Sequence, residues 1–246
     1  GGDTGDAGGV AEFEYRFDRS DTDFSKGAPN HAWEGKVANA SGTGSGTANH
    51  KNKAVPSVQW LQKYYPLDSY YVPAHVERAG VFNPNGHNGF NVGHSGDFNT
   101  AGATVAVGFE SQPGHQASNN RGEYRAGFCG AGCDSVGVTT FGGTGIYAAK
   151  VGGVWDALLG EGRNWFFYAS SDWHNRGAFS IYEASSTNDF YPGEYQKLYV
   201  PRPAAGTTLR PNVIVDGVRS GNSYSVQGDL ITGELSYKAE VIGYAA

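Results

Sequence analysis

The apolar positions of this chain fall into a few short periodic runs, separated by long polar stretches rich in glycine. Over residues 57–65 (SVQWLQKYY), Val58, Leu61 and Tyr65 recur at helical spacing, and Pro56 suits a first helical turn. Residues 70–75 (YYVPAH) read as a short strand that ends in His75. Residues 103–110 (ATVAVGFE) form a β-rich apolar run that ends in a carboxylate. Residues 151–162 predict a helix with Val154, Trp155 and Leu158 turned inward and Gly162 closing it. Residues 164–170 (NWFFYAS) predict a buried strand running straight into Ser171-Asp172-Trp173-His174. A strand at 196–200, a helix at 211–219 and strands near 223–226 and 235–242 complete the pattern. The stretches 81–102 and 114–145 read as long loops, 40–47 as a flexible loop, and 1–9 as a frayed terminus.

Helix and strand alternate through the middle of the chain, which predicts an α/β fold with mainly parallel strands. His75, Glu110 and the pair Asp172/His174 each come just after the C-terminal end of a strand. In barrels of this class that rim is where active sites are built. The domain organisation expected is one domain over 1–246. It divides into an irregular segment at 1–50, a barrel portion at 51–235 and a C-terminal strand at 236–246.

Composition narrows the function classes. With 15 Tyr, 13 Phe and 5 Trp, the chain carries too much aromatic surface to stay unfolded in water. The net charge of −6 argues against nucleic acid as the main partner. It leaves room for a small phosphoester, because bound cations supply positive charge locally. No apolar run is long enough to span a membrane. Cys129 and Cys133, the 2 cysteines, sit in a flexible FCGAGC loop, where they form either a small disulfide or a pair of reduced thiols. The disulfide would suit an exported, periplasmic or extracellular protein.

Among candidate chemical groups, Asp172 and His174 lie two apart on extended chain, so both can face one site. Their oxygen and nitrogen donors suit Zn, Mn or Fe. The same residues also fit a strand-end turn with a solvated Asp and a hydrogen-bonded His. His75 is either a third ligand or a satisfied polar residue. Glu110 and His115 could close a metal site from the adjoining loop, or simply cap that loop. Arg78 and Arg121 offer guanidinium groups to an anion, with a surface salt bridge the other use of Arg78. His94 is a weaker candidate, and His31, His50 and His87 are expected either at the surface or packed behind the residues that line the site.

The run VWDALLGEGRNWFFYASSDWHN resembles the last metal motif of PHP (polymerase and histidinol phosphatase) domain phosphoesterases: helix, strand, then Ser-Asp-x-His. YYVPAHVERAG and VGFESQPGHQASNNRGEY resemble the middle part of exported, lipoprotein-like members. DFYPGEYQKLYV and VRSGNSYSVQGDLI resemble the stretch beyond the motif in those members. The resemblance implies a distorted (β/α)7 barrel with long Gly-rich loops, holding two or three divalent metal ions and hydrolysing phosphoesters with a metal-activated hydroxide. It implies Asp172, His174 and His75 as ligands, with Glu110 and His115 lining the site. The chain departs from the family in lacking its opening His-x-His strand. The expectation is therefore either a segment missing upstream of Gly1, which would leave the barrel incomplete and could associate as a separate fragment, or an incomplete metal site. A homo-oligomer is the other association considered. The alternative function is a catalytically inactive PHP-like extracellular binding or structural protein. A carbohydrate-binding or carbohydrate-cleaving protein, suggested by aromatic and acidic residues and to be supported by a sugar bound beside Trp33 or Trp173, is a third reading.

Overall fold

A computed structural model describes residues 7–26, 33–40, 49–74, 76, 90–113, 144–170, 193, 196–201, 206 and 208–227. Its first helix, α1 (Ala7–Phe17), lies within the segment expected to be irregular. Phe13 and Phe17 face Trp60 at ring-centroid distances of 5.9 and 6.3 Å, so an aromatic seam ties α1 to the next helix. That helix, α2 (Val55–Tyr64), begins one residue before Pro56, which occupies its first turn as expected. It is entered through a π-helical turn, His50–Ala54. Val58, Trp60 and Leu61 are buried on its inner face.

The stretch 92–101, expected as loop, forms α3 (Val92–Ala101). Its sequence is poor in helix formers, and its start is fixed by a reciprocal cap. The Asn91 side chain accepts from the His94 backbone N–H at 2.8 Å, and His94 Nδ1 accepts from the Asn91 N–H at 3.0 Å. Phe98, 1% exposed, anchors the helix in the core, and Asn99 Nδ2 donates to the Ala106 carbonyl at 2.9 Å. Tertiary packing overrides the weak propensity here.

The apolar run after α3 is buried from Val105 onward, but ladder pairing starts only at β1 (Gly108–Pro113). The chain then passes through α4 (Ile146–Ala149) and α5 (Val154–Gly160) into β2 (Phe166–Ser170). Strands β1 and β2 pair parallel, from Gly108 opposite Phe166 to Pro113 opposite Ser170. One extra residue, Ser111, is accommodated where the register shifts between Glu110 and Gln112. Residues 70–74 form no ladder but run alongside in the same direction. The Tyr71 N–H donates to the Val105 carbonyl at 2.7 Å, and the Glu110 N–H to the Pro73 carbonyl at 2.9 Å. Leu158, Trp165 and Phe109, each 0% exposed, fill the space between the strand pair and the helices.

Beyond β2, β3 (Gln196–Tyr199) leads to α6 (Pro211–Arg219) and β4 (Tyr224–Gln227). These two strands pair antiparallel rather than parallel, with Tyr199 stacked on Tyr224 at 5.0 Å. Gly221 turns the chain directly after α6 at φ +71°, a conformation few other residues adopt, and the chain returns along β3. Helix α6 is fastened to β2 by the Tyr168 hydroxyl, which donates to the Val218 carbonyl at 3.0 Å. The expected strand at 235–242 lies outside the described residues.

Candidate functional site at the parallel strand ends

Of the residues singled out from sequence, Glu110 is described; His75, Arg78, His115, Arg121, Asp172 and His174 lie outside the described residues, as do Cys129 and Cys133. Glu110 is only 6% exposed and sits in β1 just before the register shift. Its carboxylate accepts a hydrogen bond from the Ser170 hydroxyl, which lies on the last residue of β2. Glu110, expected just past a strand's end, lies instead inside β1, opposite Tyr168 and ahead of Gln112 and Pro113; the parallel pairing brings Ser170, the last residue of β2, within its reach. Residue 170 leads directly to Asp172.

The rest of this strand end is also polar and buried. Ser111 is 0% exposed, and its carbonyl accepts from the Gly145 N–H at 2.6 Å. Gln112, buried, donates through Nε2 to Thr144 Oγ1 at 2.5 Å. Its Oε1 is buried with no hydrogen-bond partner among the described residues. A buried amide oxygen left without a donor costs free energy. A cation is one group that such an oxygen can take as a partner. Carboxylate and amide oxygens at one strand end are hard donors of the kind that divalent ions bind. Among the described residues themselves, no three His, Cys, Asp or Glu side chains lie close enough together to hold a metal ion.

The histidines are distributed differently from expectation. His50, expected at the surface or packed behind the site residues, is 2% exposed and lies in the π-helical turn before α2. Its Nε2 is 3.0 Å from Asp97 Oδ2. Its ring meets those of His94, Phe90 and Phe98 at 4.7, 6.0 and 4.8 Å. Asp97 also accepts from Lys51, so one carboxylate serves two cations or donors. Burial pushes His50 below the usual imidazole range, and Asp97 only partly opposes this. Burial likewise lowers His94, with His50 adding to the effect. Lys51 and His50 hold Asp97 below the usual carboxylate range. The arrangement accounts for His94, a weak site candidate, as a helix cap. The sequence signal for it is Asn91-x-x-His94, a capping-box spacing with His in the place of Glu or Gln. His31 and His87 lie outside the described residues.

No protein-family model, no curated protein and no solved structure matches this chain.

Proposed function

We propose that the chain is a metal-dependent phosphoester hydrolase of the PHP type, working at the C-terminal end of the β1/β2 pair. The observation that carries the proposal is the buried Glu110 carboxylate, held by Ser170 on the neighbouring parallel strand, two residues before Asp172. A barrel of the (β/α)7 kind is the fold that goes with this reading, since parallel strands joined through helices are its repeating unit.

Asp172, His174, His75, Glu110 and His115 are the residues that would hold two or three Zn, Mn or Fe ions. Such ions, when bound, supply hydroxide at neutral pH and neutralise phosphoryl oxygens. The unpartnered Gln112 Oε1 adds a further oxygen donor at the same strand end. Ser170 is a positioning residue: by donating to Glu110 it fixes the direction in which the carboxylate can offer its remaining lone pairs. Arg78 and Arg121 would orient the phosphoester through their planar forks. The small net negative charge suits a small substrate better than a polyanion. No helix among the described residues is long and apolar enough to cross a membrane.

The test combines metal analysis with turnover of aryl phosphate mono- and diesters. Two or more Zn, Mn or Fe per chain, together with loss of both metal and activity in Asp172→Ala, is the expected result. A metal-free, inactive wild-type protein would turn the assignment toward a PHP-like binding or structural scaffold. An Asp172→Ala variant that turns over at the wild-type rate would remove the hydrolase reading.

A further inference from the structure

A cavity of about 820 Å³ lies between α1, the π-helical turn and α2, away from the ends of β1 and β2. Its apolar wall is formed by Phe13, Phe17 and Ala54, and its polar end by Lys53, Ser57 and Tyr71. Lys53 is only 5% exposed, an unusual position for an ammonium group. Its Nζ donates to the Asp18 carbonyl at 3.0 Å. An ammonium has three protons to donate, and among the described residues Lys53 has no carboxylate within ion-pair reach. The nearby carboxylates are otherwise engaged or at the rim. Asp21 is paired with Lys36 at 2.6 Å. Asp18 Oδ1 accepts from the Ser20 N–H at 2.6 Å. Glu14 is exposed at the cavity edge, as is Arg19.

We propose that this cavity binds an amphipathic carboxylate, with its head group on Lys53 and its apolar body against Phe13 and Phe17. A buried cation facing a concave apolar wall is the pattern that recognises a ligand with one charged end and one greasy end. A singly charged carboxylate matches the single ammonium. A phosphate dianion would be repelled by Asp18 and Glu14 about twice as strongly as a carboxylate. Burial holds Lys53 below the usual lysine range, with Lys36 adding to the effect, and a bound anion would counteract both by favouring the charged ammonium. Tyr71 is pushed up to about 12 by burial, so its hydroxyl stays protonated; it is hydrogen-bonded to Ser57, which itself donates to the Ala54 carbonyl at 2.7 Å, and the pair forms a fixed polar edge beside Lys53. A further cavity of about 580 Å³ shares Val10, Phe13 and Tyr71 with the first and gives the apolar body room to extend.

The test is calorimetric titration of the full chain with dodecanoate below its micellar concentration, and with dodecan-1-ol as a head-group control. Wild-type protein should bind dodecanoate more tightly than the alcohol. Lys53→Met should weaken dodecanoate about tenfold or more and leave the alcohol nearly unchanged. Val10→Trp, at a half-exposed position on the wall of both cavities, should weaken both ligands by obstruction. Should Lys53→Met fail to fold by circular dichroism, the acid-versus-alcohol preference of the wild type and the Val10→Trp result decide. No binding to wild type, equal affinity for acid and alcohol, or full affinity in either folded variant would overturn the proposal.

Discussion

Gly108 offers the sharpest check on the geometry that positions Glu110. A Cβ at this position would stand 2.3 Å from the Phe166 carbonyl oxygen and 2.5 Å from Tyr168 Cε2. Neither neighbour can yield cheaply. The carbonyl belongs to β2, paired directly opposite. The Tyr168 ring is 4% exposed and held at its far end by the bond to Val218. Gly108→Ala must therefore push β1 away from β2. Overpacking of this kind costs about 1–3 kcal/mol. Each ladder hydrogen bond lengthened or lost adds about 1 kcal/mol. The gain from stiffening the unfolded chain is about 0.4–1 kcal/mol, too small to offset these. The expected net loss is about 2–3 kcal/mol, read from urea or guanidinium unfolding with the slope unchanged. Gly160→Ala is the control: it sits at the last position of α5 with nothing within 4 Å of a new Cβ, and should be neutral or stabilising by up to about 1 kcal/mol. A Gly108→Ala protein as stable as wild type would refute the close approach of β1 and β2, and with it the placement of Glu110 beside Ser170.

Ser170→Ala removes a donor from the buried Glu110 carboxylate and should cost about 1–3 kcal/mol, while Glu110→Gln, whose amide oxygen can still accept from Ser170, should cost less; equal losses in denaturant melts would contradict the pairing. The pH dependence comes from His50 and His94, both held neutral in the folded chain. The unfolded chain takes up these protons first, so stability is intact above about pH 6.5 and falls below it, by about 1.4 kcal/mol for each unit of depression per histidine. His94→Gln keeps a side-chain acceptor for the Asn91 N–H and should blunt this loss; melts that stay flat from about pH 7 to pH 5 would count against both histidines. Trp155→Phe deletes the bond from Nε1 to the Trp165 carbonyl, 2.8 Å long, and should lower stability by about 1 kcal/mol while leaving the ring contact with Phe167 in place.

Elements whose own residues carry the instructions were legible in the sequence. Helix α6 starts at Pro211 and ends at Arg219 as expected, because proline is favoured in a first turn and Val215 and Val218 mark the buried face. Helix α2 and strands β2, β3 and β4 match their apolar patterns to within one or two residues. Helix α3 was not legible, because Gly93, Gly96 and Asn99 each argue against a helix locally. Its support comes from elsewhere in the chain: Arg163 reaches across to Asn99 and Thr100 at 3.2 and 3.1 Å, and a Cβ on Gly96 would stand 3.1 Å from the same guanidinium. In the candidate site, Glu110 stood out as the carboxylate ending an apolar run. Ser170 and Gln112 did not, since a hydroxyl or amide acquires meaning only from the strand opposite it.

Two buried polar groups of the described chain differ in a way that bears on function. Around His50, one nitrogen is matched to Asp97 and the other, Nδ1, lies buried without a partner among the described residues. A neutral imidazole can leave a lone pair there at modest cost, whereas a proton on that atom would find no acceptor, so the group is built to stay uncharged. This is the signature of a packing unit that locks the π-helical turn onto α3. At the strand ends the unpartnered atom is an amide oxygen. Glu110 and Gln112 are both buried there; Gln112 donates through Nε2 to Thr144, and its Oε1 has no donor among the described residues. That oxygen needs a partner from outside the described residues, either a hydrogen-bond donor or a cation. Asp172 and His174 follow shortly after Ser170 in the chain, and in the proposed reading a cation held by them would be one such partner.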